Sequence, residues 1–459
     1  MRRQGSIRHA AHNGGSKQRS ASKTAAASTQ ATLLIDDLGG RGDGVGRLPS
    51  GEVVFVAGTA PGDRVEVEIK GRRGGVLRGT VIRLEPGTQR VTPMCAVAER
   101  CGGCSWLHVS TAAQTRVKAS IARRTLASFG HSAAPLQVGS VPSQGWRRRA
   151  RVHLRDDHRG LAVGFLAGRS EDLVGVESCP ALESALNAKL PALAQSLKGV
   201  VTKAEVAMTV GVEGVVAEIR GVGRGPDDDE WAAITAGFAG VRMEIGGQWR
   251  AYGADVVTLV ETAGTAPVRA SATGFSQASA AGNEAILAAT RQALAVALVD
   301  GGGRVGTAFE AYAGSGNLTS LLLEVADAVM TVESDPAACD RARVTYAAAI
   351  ADGRLNVRSE DADDVEPPGG DACIWLVDPG RPGAQAIVGR LREGRPSGLI
   401  YVSCAPDTLR RDGAAIVDAG YRLAASYWID SMPGTPHLEI VTAWVREGVP
   451  PTTVEDSGH

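Results

Sequence analysis

The sequence predicts an α/β protein: a Rossmann-like C-terminal domain, an N-terminal small β-barrel and a mixed central domain between them. Three observations carry this. From about residue 265 onward the apolar runs "VGTAFEAYAG", "DAVMTVES", "DACIWLVDP" and "GLIYVSC" are each followed by helix-compatible sequence, and strands alternating with helices build a parallel sheet covered on both faces. Residues 31–86 instead alternate short β-branched runs with Gly, Pro and Asp turn signals, the pattern of a small all-β barrel. The stretch between follows neither rule and holds a cysteine cluster. The expected division is a disordered basic tail at 1–30, the barrel at 31–88, the central domain at 89–262, the α/β domain at 263–447 and a flexible tail at 448–459.

Composition bounds the setting. A chain of 459 residues, 44% hydrophobic and 22% charged, is long enough for several domains with real cores. No apolar run reaches the length of a membrane span, and the first thirty residues hold no signal-like hydrophobic stretch, so a cytoplasmic protein with no membrane partner is expected. Seven cysteines in so long a cytosolic chain favour metal binding or catalysis over crosslinks. The tail carries Arg2, Arg3, Arg8, Lys17, Arg19 and Lys23 without one Asp or Glu, a composition that reads as disorder. Further basic clusters at 70–79 and 146–155 contrast with the acidic residues 359–371. Such clusters permit a nucleic-acid partner by neutralising phosphates, although an ordinary solvated face explains them as well.

Taken in order, the elements narrow the chemistry. "CAVAERCGGC" places Cys95, Cys101 and Cys104 within ten positions. In the C-terminal domain the first strand runs into "YAGSGNLTSLL", where Gly314 and Gly316 let the backbone approach a ligand before a helix begins. A dinucleotide fingerprint would want glycine at Thr319, so a pyrophosphate-bearing cofactor is disfavoured. The next strand ends at Glu333, placed to accept hydrogen bonds from ribose hydroxyls, and an adenosine-type ligand follows. Chemistry in an open parallel sheet belongs at the carboxyl ends of strands. Asp378 and Cys404 fall there, and Glu439 stands in the final segment, "TPHLEIV". Cys339 and Cys373 lie in a helical run and an apolar strand, where plain packing is expected. The ending, "YRLAASYWID" then "HLEIVTAWVR", gives two strands with no helix between them and suggests an antiparallel edge.

From about residue 32 to 446 the chain resembles the RNA uracil-5-methyltransferase family in its form with a TRAM domain and a [4Fe-4S] cluster. The matching stretches are "FVAGTAPGDRVEVEI", "CAVAERCGGCSWLHVSTAAQTRVK", "FSQAS", "AYAGSGNLTSLLLE", "VESDP", "EDADD", "DPGRPGA", "YVSCAPDTLRRD" and "TPHLEIV". The resemblance implies S-adenosylmethionine as methyl donor, a uridine in structured RNA as substrate and a monomeric enzyme. The two accessory modules favour large-subunit ribosomal RNA, with transfer RNA as the alternative. It further implies that Cys95, Cys101 and Cys104 join Cys179 on the cluster, although by residue type alone four thiolates suit zinc equally. By the same resemblance Cys404 is the nucleophile that adds to C6 of uracil, Glu439 the general base and Asp378 the group holding the uracil edge. Gln277, Tyr312, Gly314, Gly316, Glu333, Asp361 and again Asp378 fall on the cofactor side. The chain departs from the family pattern at Gly380, Ala405 and Ser279. A noncatalytic RNA-binding protein, or a methyltransferase for another base or a small molecule, are the rival readings.

Overall fold

The computed structural model describes residues 29–157, 160–261, 265–298 and 302–448. The two expected tails lie almost wholly outside the described residues. The barrel strands β1 (Thr29–Leu38), β2 (Gly44–Arg47), β3 (Val53–Val56), β4 (Arg64–Arg73) and β5 (Val76–Glu85) close in the order β1-β2-β3-β5-β4. Alternation along the strands turns Leu33, Ile35, Val54, Val56, Val65 and Val67 inward as one small core. Closure removes the open edges that so short a sheet would otherwise expose.

The two-residue strand β6 (Leu136–Gln137) leaves the barrel's neighbourhood to join the C-terminal sheet. The central sheet then runs through β7 (Arg149–Asp157), β8 (Gly160–Leu166), β9 (Leu173–Gly175), β10 (Val201–Gly211), β11 (Gly214–Gly223), β12 (Gly240–Ile245) and β13 (Gln248–Gly253), in the order β13-β12-β11-β10-β7-β8-β9. One of its faces buries Val152, Leu154, Val206, Met208, Ile219 and Met243 with Leu190 and Leu193 of the helix Lys189–Ser196. The hairpin β14 (Val256–Leu259) and β15 (Val268–Ser271) packs Val257 and Leu259 on Ala207 and Val216 of the opposite face.

The C-terminal sheet comprises β16 (Val305–Ala311), β17 (Ala326–Glu333), β18 (Leu355–Ser359), β19 (Cys373–Val377), β20 (Gly398–Ser403), β21 (Tyr421–Ile429) and β22 (Glu439–Arg446), ordered β18-β17-β16-β19-β20-β22-β21-β6. β16 to β20 are parallel, and β22 inserts antiparallel between β20 and β21. Every residue of β19 and β20 is buried, as expected for strands covered on both faces. The helix Ala280–Ala297 supplies one layer through Ile286, Ala289 and Ala293. The other layer contains Leu409 and Ile416 of the helix Pro406–Asp418 together with Val117, Ile121 and Leu126 of the helix Thr111–Ala127. That last helix falls by sequence in the central segment, yet its apolar stripe belongs to the C-terminal core. Its Lys118 is fully buried and donates to Asp430 at 2.5 Å and to the Met432 carbonyl at 3.3 Å, which offsets part of the cost of burying the cation, although burial still holds its pKa below the usual lysine value.

Candidate active site and cysteine cavity

Strand register brings the chemistry together. Ala311 lies beside Val377, Val377 beside Tyr401, and Ser403 beside Ile440. Tyr312, Asp378, Cys404 and Glu439, each within three residues of one of these pairs, therefore gather along one end of the sheet.

The loop after β16 is held in an unusual backbone form. Tyr312, Gly314 and Gly316 all have positive φ, at 63°, 57° and 87°, and for tyrosine this costs on the order of 1–3 kcal/mol. A Cβ at Gly316 would come within 2.5 Å of the Tyr346 ring, whose hydroxyl donates to the Gly316 carbonyl at 2.6 Å. The Gly314 side faces open space, and its N–H donates to Glu333 at 2.9 Å. Glu333 also accepts from the Asp335 N–H at 2.8 Å, so its carboxylate is aimed by two backbone groups. The Glu360 N–H bonds the Glu333 carbonyl, which carries the exposed Asp361 alongside. Gln277 presents its carbonyl to the Arg148 side chain at 3.0 Å, and the Ser276 carbonyl accepts from Arg149 at 2.7 Å. Arg148 is itself fixed by a buried ion pair with Glu261 at 2.5 Å. Ser279 caps the helix Ala280–Ala297 by accepting from the Gly282 N–H.

Three carboxyl groups here hold their protons more tightly than usual. Burial pushes Glu439 up to about 8, with Asp378 adding repulsion. Asp378 is half-buried at the surface, but the protein around it pushes its carboxyl up to about 7. Glu310, on β16 and 1% exposed, is pushed up to about 8 by burial despite the Thr319 hydroxyl donating to it at 2.6 Å. The Glu310 site was not singled out from sequence; a lone acid inside the apolar run "TAFEAYA" is the signal that marked it. Burial also pushes the Cys404 thiol up to about 11, with Glu439 and Asp378 contributing and Arg381 opposing. The helix Pro406–Asp418 begins just beyond Cys404, and its N-terminus favours the thiolate. Burial and two acids outweigh it.

Cys95, Cys101, Cys104 and Cys179 line one cavity of about 130 Å³ together with Trp146 and Arg147. Burial raises Cys101 and Cys179 and pushes Cys104 up to about 11, and the thiols raise one another while Arg147 opposes. Asn187 clamps Cys179 through both its backbone N–H and carbonyl, at 2.8 and 2.9 Å. Among the described residues no group of three or more His, Cys, Asp or Glu side chains is arranged to hold a metal ion. The cysteine loop is tied to the segment before Glu439: the Trp106 N–H donates to the Gly434 carbonyl at 2.9 Å, and Gln114 accepts from the Gly434 N–H. Gly434 leads into Glu439. Cys339 and Cys373 are buried elsewhere, and no described helix is long and apolar enough to cross a membrane.

Residues 29–82 match the TRAM domain family. Over 435 residues the chain is 32% identical to an uncharacterized RNA methyltransferase of Caulobacter vibrioides, covering 90% of this chain and 99% of that one. It is 31% identical over 436 residues to the 23S rRNA (uracil(1939)-C(5))-methyltransferase RlmD of Cronobacter sakazakii, covering 91% and 96%. The fold is shared with the tRNA (uracil-54, C5)-methyltransferase of Pyrococcus abyssi, solved in complex with S-adenosyl-L-homocysteine. That likeness has a TM-score of 0.69 at 19% identity and covers 90% of this chain and 100% of the other.

Proposed function

The chain belongs to the RNA uracil-C5-methyltransferase family and is an S-adenosylmethionine-dependent enzyme; on that premise we propose that it methylates C5 of a uridine in 23S ribosomal RNA by covalent catalysis through Cys404. The observation that carries the reading is the placement of Cys404 between Asp378 and Glu439 on adjoining strand ends, each close enough to perturb the thiol electrostatically. S-adenosylmethionine supplies an electrophilic methyl group; Gly314, with its open flank, and Glu333 beside it offer the surface for the adenosine moiety.

C5 of uracil is a poor nucleophile. Addition of the Cys404 sulfur to C6 breaks the C5–C6 π bond and delivers the electron pair to C5 and O4, which makes C5 reactive. A half-buried Asp378 that keeps its proton near neutrality donates toward the uracil edge where that charge collects. Once C5 carries its methyl group, Glu439 takes the C5 proton, the C5–C6 double bond reforms and the sulfur leaves as thiolate. A carboxylate with affinity for protons near pH 8 is a stronger base than an ordinary glutamate. The target base reaches this site only when flipped out of any stack.

For the four-cysteine cavity we propose an iron–sulfur cluster: four thiols line one space, a donor set that by residue type suits zinc as well. Cys95, Cys101, Cys104 and Cys179 are the residues that would hold a [4Fe-4S] cluster, which would crosslink the cysteine loop to the Cys179 segment.

The test is a denaturing gel of enzyme incubated with 5-fluorouridine RNA and S-adenosylmethionine. With no C5 proton to remove, release stalls and the protein stays joined to RNA. Peptide mapping should place the bond at Cys404; a bond elsewhere, or none from an enzyme that forms 5-methyluridine in ordinary RNA, rejects the mechanism.

A further inference from the structure

The central sheet has a second, uncovered use. The hairpin β14–β15 covers one end of its outer face, at Ala207, Thr209 and Val216. Register places Arg151, Arg155, Lys203, Arg220 and Arg242 on that same face: Arg151 lies opposite Ala207, Arg155 opposite Lys203, and Glu218, which lies opposite Ala207 on the other side, stands beside Arg242. The neighbouring row runs His153, Glu205, Arg220, Glu244 and Trp249, ending on the edge strand β13.

Trp249 is 48% exposed. Two guanidinium groups stand over its ring, Arg242 at 5.1 Å and Arg220 at 5.6 Å. The carboxylates of this face, Asp157, Glu205, Glu218 and Glu244, are fewer than its cations, and Glu205 pairs with Arg151 and Glu218 with Arg220. Arg155, Lys203 and Arg242 form no ion pair among the described residues. An exposed indole and a surplus of unpaired cations match a polyanion whose units carry flat rings. Phosphates meet the cations, and a base extends the stack on the indole. An acidic protein surface would use the cations but leave the indole without a matching group.

The face also points to the reaction. β7, which carries Arg151 and Arg155, begins at Arg149, and Arg149 and its neighbour Arg148 donate to the carbonyls of Ser276 and Gln277. From β7 to β13 is four strand spacings, roughly 20 Å, a span of a few nucleotides.

We propose that the outer face of the central sheet is a docking platform for a single-stranded segment of RNA flanking the target uridine, with Trp249 stacking one unpaired base between Arg220 and Arg242. The proposal rests on RNA being the substrate. Its test does not require methyl transfer: anisotropy of a fluorescent single-stranded RNA of about 12 nucleotides, a length within usual site sizes, reads binding to the full-length protein directly. Trp249→Ala should weaken binding about 10-fold, and Trp249→Phe, which keeps a ring, by no more than about 3-fold. Arg242→Gln should weaken it less than Trp249→Ala and lower the slope of log affinity against log salt by about one. Trp249 and Arg242 are exposed, so thermal melting should be unchanged in all three variants. Where the wild type methylates RNA, KM for a substrate with its flanking strand should rise in Trp249→Ala at constant kcat, and for a substrate trimmed of that strand it should not. RNA affinity equal to wild type in Trp249→Ala overturns the platform even if methylation is intact; a wild type that binds RNA through Trp249 yet never forms 5-methyluridine overturns the proposed reaction and leaves the platform standing.

Discussion

The chain holds two thiol sites whose leading thiols are lifted equally by burial, Cys104 and Cys404 each to about 11, but they keep different company. Cys104 faces three other thiols with Arg147 beside them. Ionising several of these thiols together is costly without a bound cation, so thiolates there and a bound cation go together. Cys404 faces two carboxyls, one arginine and a helix N-terminus, a setting in which ionised carboxylates oppose the thiolate. In the proposed function this difference separates a thiol set that would hold a cluster from a thiol that would react and let go.

The largest expected effect breaks the two sites apart directly. Cys404→Ala should lower methylation by on the order of 10⁴-fold or more, the scale for loss of a covalent nucleophile, while leaving iron content and colour unchanged. Cys104→Ser should do the reverse in kind: iron lost on anaerobic purification, and turnover reduced but measurable, because the loop it anchors leads through Gly434 toward Glu439. Stoichiometric zinc in a colourless wild type, or full activity in Cys404→Ala, would collapse the comparison.

Next comes the base. Glu439→Gln should slow turnover by about 10²- to 10⁴-fold and let protein–RNA adduct accumulate on ordinary RNA, since the proton is removed after methylation. The sign of the pH dependence follows from the raised affinity of Glu439 for protons: the base is in its active form above about pH 8 and is lost below it. Where release limits turnover, kcat should therefore climb through about pH 8 in the wild type and be flat there in Glu439→Gln. A kcat that falls across that range assigns the step to another group.

The sequence exposed one site more fully than the other. Apolar runs followed by helix-compatible sequence marked β16, β17, β19 and β20, and strand ends singled out Cys404 and Asp378, because a parallel sheet writes its chemical edge locally; the short β18 carried no such run. The cysteine loop showed three of its four thiols through close spacing, but Cys179 came only through family likeness; it reaches the cavity by a fold of the central sheet that no local pattern encodes. The helix Thr111–Ala127 escaped for the same reason. Its periodicity declares an apolar stripe, but which sheet covers the stripe is settled by distant partners such as Leu409 and Ile416. The Lys118–Asp430 pair was likewise invisible, since burial of a charge is a property of the packed whole.

The smallest effect sharpens the reactive side of the comparison. The helix that begins beyond Cys404 has Ala405 at its N-cap, with φ −132° and ψ 93° and no side-chain cap. Extended backbone of this kind is what a capping side chain needs, and alanine leaves the first N–H groups without it. Ala405→Asn should stabilise the C-terminal domain by about 1 kcal/mol, raising its melting temperature by about 2–4 °C for a unit of that size. Because the added amide is neutral, it brings no charge to the thiol, and any change in kcat should stay within a few-fold. Ala405→Asp separates the two roles: it caps equally well, but a carboxylate next to Cys404 disfavours the thiolate, so stability should rise while adduct formation slows. Equal adduct rates in the Asn and Asp variants would show that the electrostatic setting of Cys404 does not limit its attack.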